Sequence, residues 1–152
     1  MTSDLHDHGL LELLVDATPD DVLAVVADVE RYPSWARGVT GADVLAVEAE
    51  GRPARAWFRV ESFGWTVTYT LAYDWSDAPD EVRWRLVEGD AVRDVTGSLG
   101  FTPLDGGERC RVVYELDIVL KVPVPAFVKR RAESRILSNL EGLKDHVEKA
   151  SR

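Results

Sequence analysis

The chain holds one cysteine, one methionine and three histidines in 152 residues, and each scarcity removes a class of function. A single cysteine, Cys110, excludes an intrachain disulfide framework and supplies no thiolate pair for a structural zinc. Within an alternating segment it reads as a small buried apolar side chain, with a reactive thiol as the alternative. His6 and His8 fall near the start and His146 near the end, so no set of histidine, cysteine and carboxylate has metal-ligand spacing. No apolar run approaches the roughly 20 residues that span a bilayer. The opening residues MTSDLHDHGLLELLVDATPD lack the basic and apolar blocks of a signal peptide, so a soluble cytoplasmic protein is expected. Basic charge is short as well: 18 Lys and Arg against 27 Asp and Glu leave a net charge of -9. That balance argues against a general nucleic-acid binder, which needs a basic face. There is no G-x-S-x-G elbow, phosphate-binding glycine loop or dinucleotide fingerprint, and nothing calls for a cofactor.

What is present is a composition fit for a folded domain, 45% hydrophobic and 30% charged. Residues 10–150 are expected to form that domain, behind a flexible tail at 1–9. Leu10 to Ala17 can form a first strand, with helix as the alternative that periodicity alone leaves open. Thr18-Pro19-Asp20-Asp21 is a helix start: a hydroxyl to cap free amides, proline at the first position, and acids at the positive end. Val22, Val25, Val26 and Val29 give that helix one apolar face. Pro33 disfavours helical geometry at Tyr32, and a short second helix, Pro33 to Arg37, is expected to stop at Gly38.

From Val39 to Val119 the period changes to two, in about six segments divided by turn residues. Ala56, Phe58 and Val60 share a face, as do Val67, Tyr69, Leu71 and Tyr73, then Val82, Trp84 and Leu86. Val95, Gly97, Leu99 and Phe101 follow, and last Cys110, Val112, Tyr114, Leu116 and Ile118. The spacing Gly97-x-x-Gly100 reads as a sharp bend or a bulge. A long helix over Val124 to Lys149 closes the chain. The expected fold is α+β, a curved antiparallel sheet of about seven strands wrapped around that helix. One helix rarely fills such a curl, so an internal cavity is expected.

Inward parity places Phe58, Tyr69, Tyr73, Trp84, Phe101 and Tyr114 on the concave face. Each alone can be core filling. As a group they include several phenols and an indole that need hydrogen-bond partners inside, and an apolar wall with a few polar tips is the form of a small-molecule site. Trp35, at the helix corner, is a candidate for the entrance, with Trp57 and Trp65, although Trp57 has outward parity and reads equally as a surface aromatic. Arg93 shares the parity of Val95 and has three readings: it holds an anionic group of a ligand, pairs with a buried acid, or leans out at the strand end. The cluster Lys129-Arg130-Arg131 on the last helix has two, a wet face or a docking patch for an acidic carrier protein, an anionic lipid head group or a ligand's acidic end.

The segment Asp16-Ala17-Thr18-Pro19-Asp20-Asp21-Val22, continued by Ala27-Asp28-Val29-Glu30-Arg31-Tyr32-Pro33-Ser34-Trp35, resembles the opening of the START and Bet v 1-like (SRPBCC) superfamily. The likeness is strongest to its polyketide cyclase/dehydrase branch. Gly97-Ser98-Leu99-Gly100-Phe101-Thr102-Pro103 with Gly106-Gly107-Glu108-Arg109-Cys110-Arg111-Val112 is similar to the strand, turn and strand before that branch's last helix. The resemblance implies a helix-grip fold, β-α-α-β6-α, with a ligand cavity. Its members bind sterols, phospholipids, isoprenoid quinones or polyketides; some steer polyketide cyclisation and some act through protein partners. Fold alone does not choose among these. The leading expectation is binding of a hydrophobic small molecule (polyketide, isoprenoid or lipid), with Tyr69, Tyr73, Trp84, Tyr114 and Arg93 orienting it. An aromatase/cyclase-type enzyme and a protein-interaction module are the alternatives.

Overall fold

The computed structural model describes residues 5–62, 65–121, 139 and 141–149. The element order is β1 (Leu5–Val15), α1 (Pro19–Ala27), a 3-10 helix (Val29–Ser34), β2 (Val39–Val47), β3 (Pro53–Ser62), β4 (Trp65–Asp74), β5 (Glu81–Gly89), β6 (Val92–Leu104) and β7 (Arg109–Leu120). The seven strands form one antiparallel sheet in the order β1-β7-β6-β5-β4-β3-β2. Residues 139 and 141–149 are helical and belong to the C-terminal helix. The expected architecture is present: a curved sheet whose inner face receives the helices.

Alternation along each strand sends one set of side chains to that inner face. Val22 and Val26 of α1 and Leu143 and Val147 of the C-terminal helix pack there on Val15, Val82, Leu99, Phe101, Cys110 and Val112. Further along the sheet, Val29, Ala56, Phe58, Leu71, Val92, Val95 and Leu116 form a second buried cluster. Cys110 is fully buried, as its alternating segment suggests, and burial pushes its thiol pKa up.

The start of α1 follows its sequence. Thr18 accepts a hydrogen bond from the Asp21 N–H at 3.1 Å, Pro19 opens the helix, and Asp20 and Asp21 lie in its first turn. Thr18→Ala removes an acceptor that no neighbour replaces, so a loss of about 1 kcal/mol is expected. A lower urea midpoint at unchanged slope would register it; an unchanged midpoint would show that water serves the amide equally well.

Four expectations change. Residues 5–9, assigned to a flexible tail, are paired in β1, from Leu5 opposite Leu120 to Gly9 opposite Leu116. β7 runs to Leu120, and this stretch of β1 supplies the backbone partner for its outer side. The first helix ends at Ala27, because Asp28 leaves helical geometry (ψ 67°). The expected helix from Pro33 to Arg37 is instead the 3-10 helix Val29–Ser34, with Pro33 inside it and the Trp35 and Ala36 N–H groups both donating to the Tyr32 carbonyl. No bulge occurs at Gly97, since the β6–β7 register runs unbroken from Asp94 to Leu104. Of the closing helix, residues 122–138, with Lys129, Arg130 and Arg131, lie outside the described residues.

Candidate functional site

The inner face is built in rungs across neighbouring strands. Ala42, Phe58 and Tyr69 are register partners on β2, β3 and β4; Tyr73, Trp84, Gly97 and Leu116 are partners on β4 to β7; Val82, Leu99, Tyr114 and Leu11 make a third rung. Trp84 lies flat over Gly97, where a Cβ would fall 2.4 Å from its Cε2 and 2.5 Å from its Cζ2 and Nε1. The glycine is a seat for the indole.

Two chains of rings follow from this layout. In one, Trp35 meets Tyr32 edge to face at 5.0 Å, Tyr32 stacks on Phe58 at 5.8 Å, and Phe58 meets Tyr69 at 5.6 Å. In the other, Trp75 stacks on Tyr73 at 5.7 Å, Tyr73 meets Trp84 at 6.2 Å, and Trp84 meets Tyr114 at 5.8 Å. These centroid spacings are those of favourable aromatic pairs. His146 of the C-terminal helix stacks on Trp35 at 6.0 Å and extends the first chain.

All four tyrosines of the sequence converge here, Tyr32 from the 3-10 helix, Tyr69 and Tyr73 from β4, and Tyr114 from β7. The Tyr32 hydroxyl donates to the Val26 carbonyl. Tyr69, Tyr73 and Tyr114 have no hydrogen-bond partner for their hydroxyls among the described residues. Nor are those hydroxyls sealed in protein: the sealed, unpaired polar side-chain atoms among the described residues are Trp35 Nε1 and Asn139 Oδ1. The three tyrosines are half-buried, yet they lie deep enough for burial to govern their ionisation. Burial pushes Tyr69 up to about 12. It pushes Tyr32, Tyr73 and Tyr114 up as well, with each phenol feeling one or more of the others and Tyr32 also the carboxylate of Asp28. The site is therefore a neutral donor cluster on an aromatic wall.

Among the expected residues, Tyr69, Tyr73, Trp84 and Tyr114 come together in this cluster. Phe58 is buried and backs Tyr32 and Tyr69. Phe101 faces inward but is 3% exposed, in the cluster with α1, Leu143 and Val147, so it is core and not wall. Trp35 is at the corner, wedged against the C-terminal helix, with its backbone carbonyl 3.0 Å from the point where a Gly142 Cβ would lie. Arg93 is exposed, which fits the reading that it leans out and corrects the one in which it orients a ligand: a register shift between Val92 and Asp94 inserts it as an extra residue and turns Val92 inward in its place. Trp57 lies on the convex face, across Gly41 and beside its register partner Thr70. Tyr32 and Trp75 are members of the site that the sequence reading misses. Trp75 continues the parity of Tyr69, Leu71 and Tyr73, and the Tyr-Pro-x-Trp corner marks Tyr32.

A groove of about 570 Å³, open on one side, reaches Tyr73 from the sheet end where the β2–β3 and β4–β5 turns meet, and is lined by Glu48, Glu50, Arg52, Asp74, Trp75, Ser76 and Ala78. Trp75 is pinned by its Nε1–H donating to the Pro53 carbonyl at 2.6 Å. Arg52 lies 5.6 Å over the Trp75 ring and pairs with Glu48 at 3.4 Å and Glu50 at 3.3 Å. Among the described residues no three His, Cys, Asp or Glu side chains converge as a metal site would need, and no helix is long and apolar enough to cross a membrane.

Comparison with known proteins agrees with this geometry. A START superfamily protein from Mycobacterium smegmatis is 25% identical, with 96% of this chain and 99% of that chain covered and a TM-score of 0.84. The Zhui aromatase/cyclase from Streptomyces sp. R1128 shares the fold at 19% identity, 97% coverage of each chain and a TM-score of 0.82. The protein TTHA0849 from Thermus thermophilus is similar at 24% identity, covering 96% of this chain and 100% of that one, with a TM-score of 0.79. No curated protein sequence matches. The family described as polyketide cyclase/dehydrase and lipid transport matches residues 12–148. With its seven-stranded sheet, its C-terminal helix and a match over nearly its whole length, the chain belongs to that family, in the START-like superfamily.

Proposed function

We propose that this protein binds a hydrophobic small molecule, a polyketide, isoprenoid or lipid, on the concave face, to sequester, carry or present it. The observation that carries this reading is the set of three half-buried phenols whose hydroxyls have no partner among the described residues, beside Trp84 and backed by the buried rings of Trp75 and Phe58. Apolar burial supplies affinity at about 25 cal/mol per Å², before ordering costs.

Native mass spectrometry of freshly purified protein tests the reading by looking for a retained guest. A fluorescent apolar probe should bind as well, and Trp84→Phe should weaken it several-fold by removing part of the wall. Absence of any guest, together with failure of a broad panel of apolar compounds to bind or raise the melting temperature, would count against it. Presentation to an acidic carrier through Lys129, Arg130 and Arg131 is a further part of the proposal; neutralising the three should then abolish capture by the carrier.

An aromatase/cyclase-type enzyme is the second reading, favoured by the same phenols, since neutral donors can polarise the carbonyls of a folded poly-ketone. Incubation with a carrier-bound polyketide separates the two readings. A changed product distribution supports the enzyme, and an unchanged one supports binding alone.

A further inference from the structure

We infer that the convex face of the sheet, around Trp57 on β3 and Thr70 on β4, is a docking surface for a segment of a partner protein that presents one carboxylate side chain beside an apolar one. This goes beyond the guest binding proposed above, which concerns the opposite face and stands or falls separately.

The register fixes what shares this surface. Asp43, Trp57, Thr70 and Glu88 form one row across β2 to β5, and Arg55, Ala72 and Arg85 form the next. Arg59 lies on the other side of Trp57, opposite Thr68. Neighbouring strands are about 4.8 Å apart, so the backbones of Arg55 and Arg85 are separated by about 10 Å, with only the methyl group of Ala72 between them. Two side chains of arginine length can close on one carboxylate over that methyl.

Three observations mark it as a surface built to receive something. Arg55, Arg59 and Arg85 are exposed, and none has a carboxylate partner among the described residues; Arg59 donates from Nε to the Thr40 hydroxyl at 2.9 Å. Arg31, Arg52, Arg83, Arg109 and Arg111, by contrast, each lie within 3.5 Å of an aspartate or glutamate oxygen. Thr70 is 4% exposed, and its hydroxyl has no hydrogen-bond partner among the described residues. That oxygen is not one of the sealed unpaired atoms, so it keeps an opening on this face. Trp57 is half-buried, its ring braced across Gly41. A fixed indole among arginines is the composition of a protein-interface anchor.

Shape and charge choose the occupant. Small-molecule sites are concave, and this is the open face of a sheet, which suits a segment of another protein. Charge is arranged by row: guanidinia flank Ala72, while Asp43 and Glu88 end the row of Trp57 and Thr70 on β2 and β5. Those two acids disfavour a partner that is acidic along its whole length, and one carboxylate with neutral neighbours fits the pattern. The Thr70 hydroxyl is a further donor for that carboxylate. An apolar neighbour covers the indole, beside the exposed Leu45 and Val47 of β2 and Val87 of β5.

Two capped tripeptides test the inference, Leu-Glu-Leu and its neutral isostere Leu-Gln-Leu, titrated into the isotope-labelled whole protein at low salt while its amide and indole resonances are followed. The glutamate peptide should shift the Trp57 indole N–H and the amides of Thr70 and Ala72. It should bind about five-fold or more tightly than the glutamine peptide, the worth of two exposed charge pairs, and lose that margin as salt is added. In an Arg55→Gln, Arg85→Gln variant the two peptides should become equal. Both arginines are exposed, so the variant folds, and it should still bind the apolar probe as the wild type does. Equal binding of the two peptides to the wild type, no shift on β3 to β5, or a margin that survives in the variant overturns the inference. Shifts at the same residues on concentrating the protein alone, with a dimer in sedimentation, overturn it in favour of a second copy of this chain.

Discussion

Gly97→Ala is expected to lower stability by about 1–3 kcal/mol, the usual range for overpacking a filled site. The added methyl carbon would fall 2.4–2.5 Å from three atoms of the Trp84 indole, well inside van der Waals contact. Those atoms belong to the body of the ring and not to a flexible end, so the whole indole must swing. It cannot do so freely, because Tyr73 and Tyr114 flank it at 6.2 and 5.8 Å. An opposing effect is smaller: Gly→Ala stabilises by about 0.4–1 kcal/mol where the backbone tolerates it, by restricting the unfolded chain. The steric term wins.

A thermodynamic cycle isolates that cause. In a Trp84→Val background the clash partner is gone, and Gly97→Ala should become neutral or mildly stabilising. Simple additivity would mean that Gly97 is needed for some reason other than the indole. The near-ultraviolet dichroism of the single variant should also change, since the indole leaves its aromatic neighbours. A stable Gly97→Ala protein with an unchanged aromatic spectrum would show that the close approach is not a constraint.

The same residue pair marks how far the sequence can be read. Parity assigns Trp84 and Gly97 correctly to the inner face, because each strand has one wet and one buried side and the register keeps them in step. Parity does not say what a glycine among inward residues is for; a bend, a bulge and a seat all leave the same letter. It also fails where the count slips. Nothing in Ala91-Val92-Arg93-Asp94-Val95 announces an extra residue, yet the shift there carries Arg93 to the surface.

Other gaps share one origin, that a strand pattern is local while a site is assembled from distant pieces. Phe101 is inward by parity, but only its packing with α1 and with Leu143 and Val147, from opposite ends of the chain, decides that it lies under helices and not beside open space. Tyr32 escapes because a 3-10 corner follows neither period, and its ring is aimed by the turn from Val29 to Ser34. Residues 5–9 look like a tail because an edge strand is held through its backbone and needs little apolar patterning. The fold is legible from period and punctuation. The convergence of four phenols is legible only in part, as three of the four inward tyrosine positions.

That convergence makes alkaline pH the sharpest probe of the interior. The protein is expected to unfold in one step above pH 10, with tyrosine ionisation and loss of structure coinciding. In the unfolded chain a phenol ionises near 10, whereas folded Tyr69 holds its proton to about 12. Between those values the unfolded state releases a proton that the folded state keeps, so stability falls as pH rises across that window. Below pH 10 both states are protonated, and the contribution is fully present. Each unit is worth about 1.4 kcal/mol, so Tyr69 alone removes on the order of 2–3 kcal/mol. Tyr32, Tyr73 and Tyr114 are raised in the same direction by burial, then by their neighbouring phenols, and add to the loss. Against a typical total stability of about 5–15 kcal/mol, four phenols acting in the same direction favour unfolding over ionisation in place. Phenolate absorbance followed together with far-ultraviolet dichroism checks this, and Tyr69→Phe should move the midpoint to higher pH. Phenolate appearing near pH 10 in a chain whose dichroism is still native would place bulk water around the tyrosines and show that burial does not hold their protons.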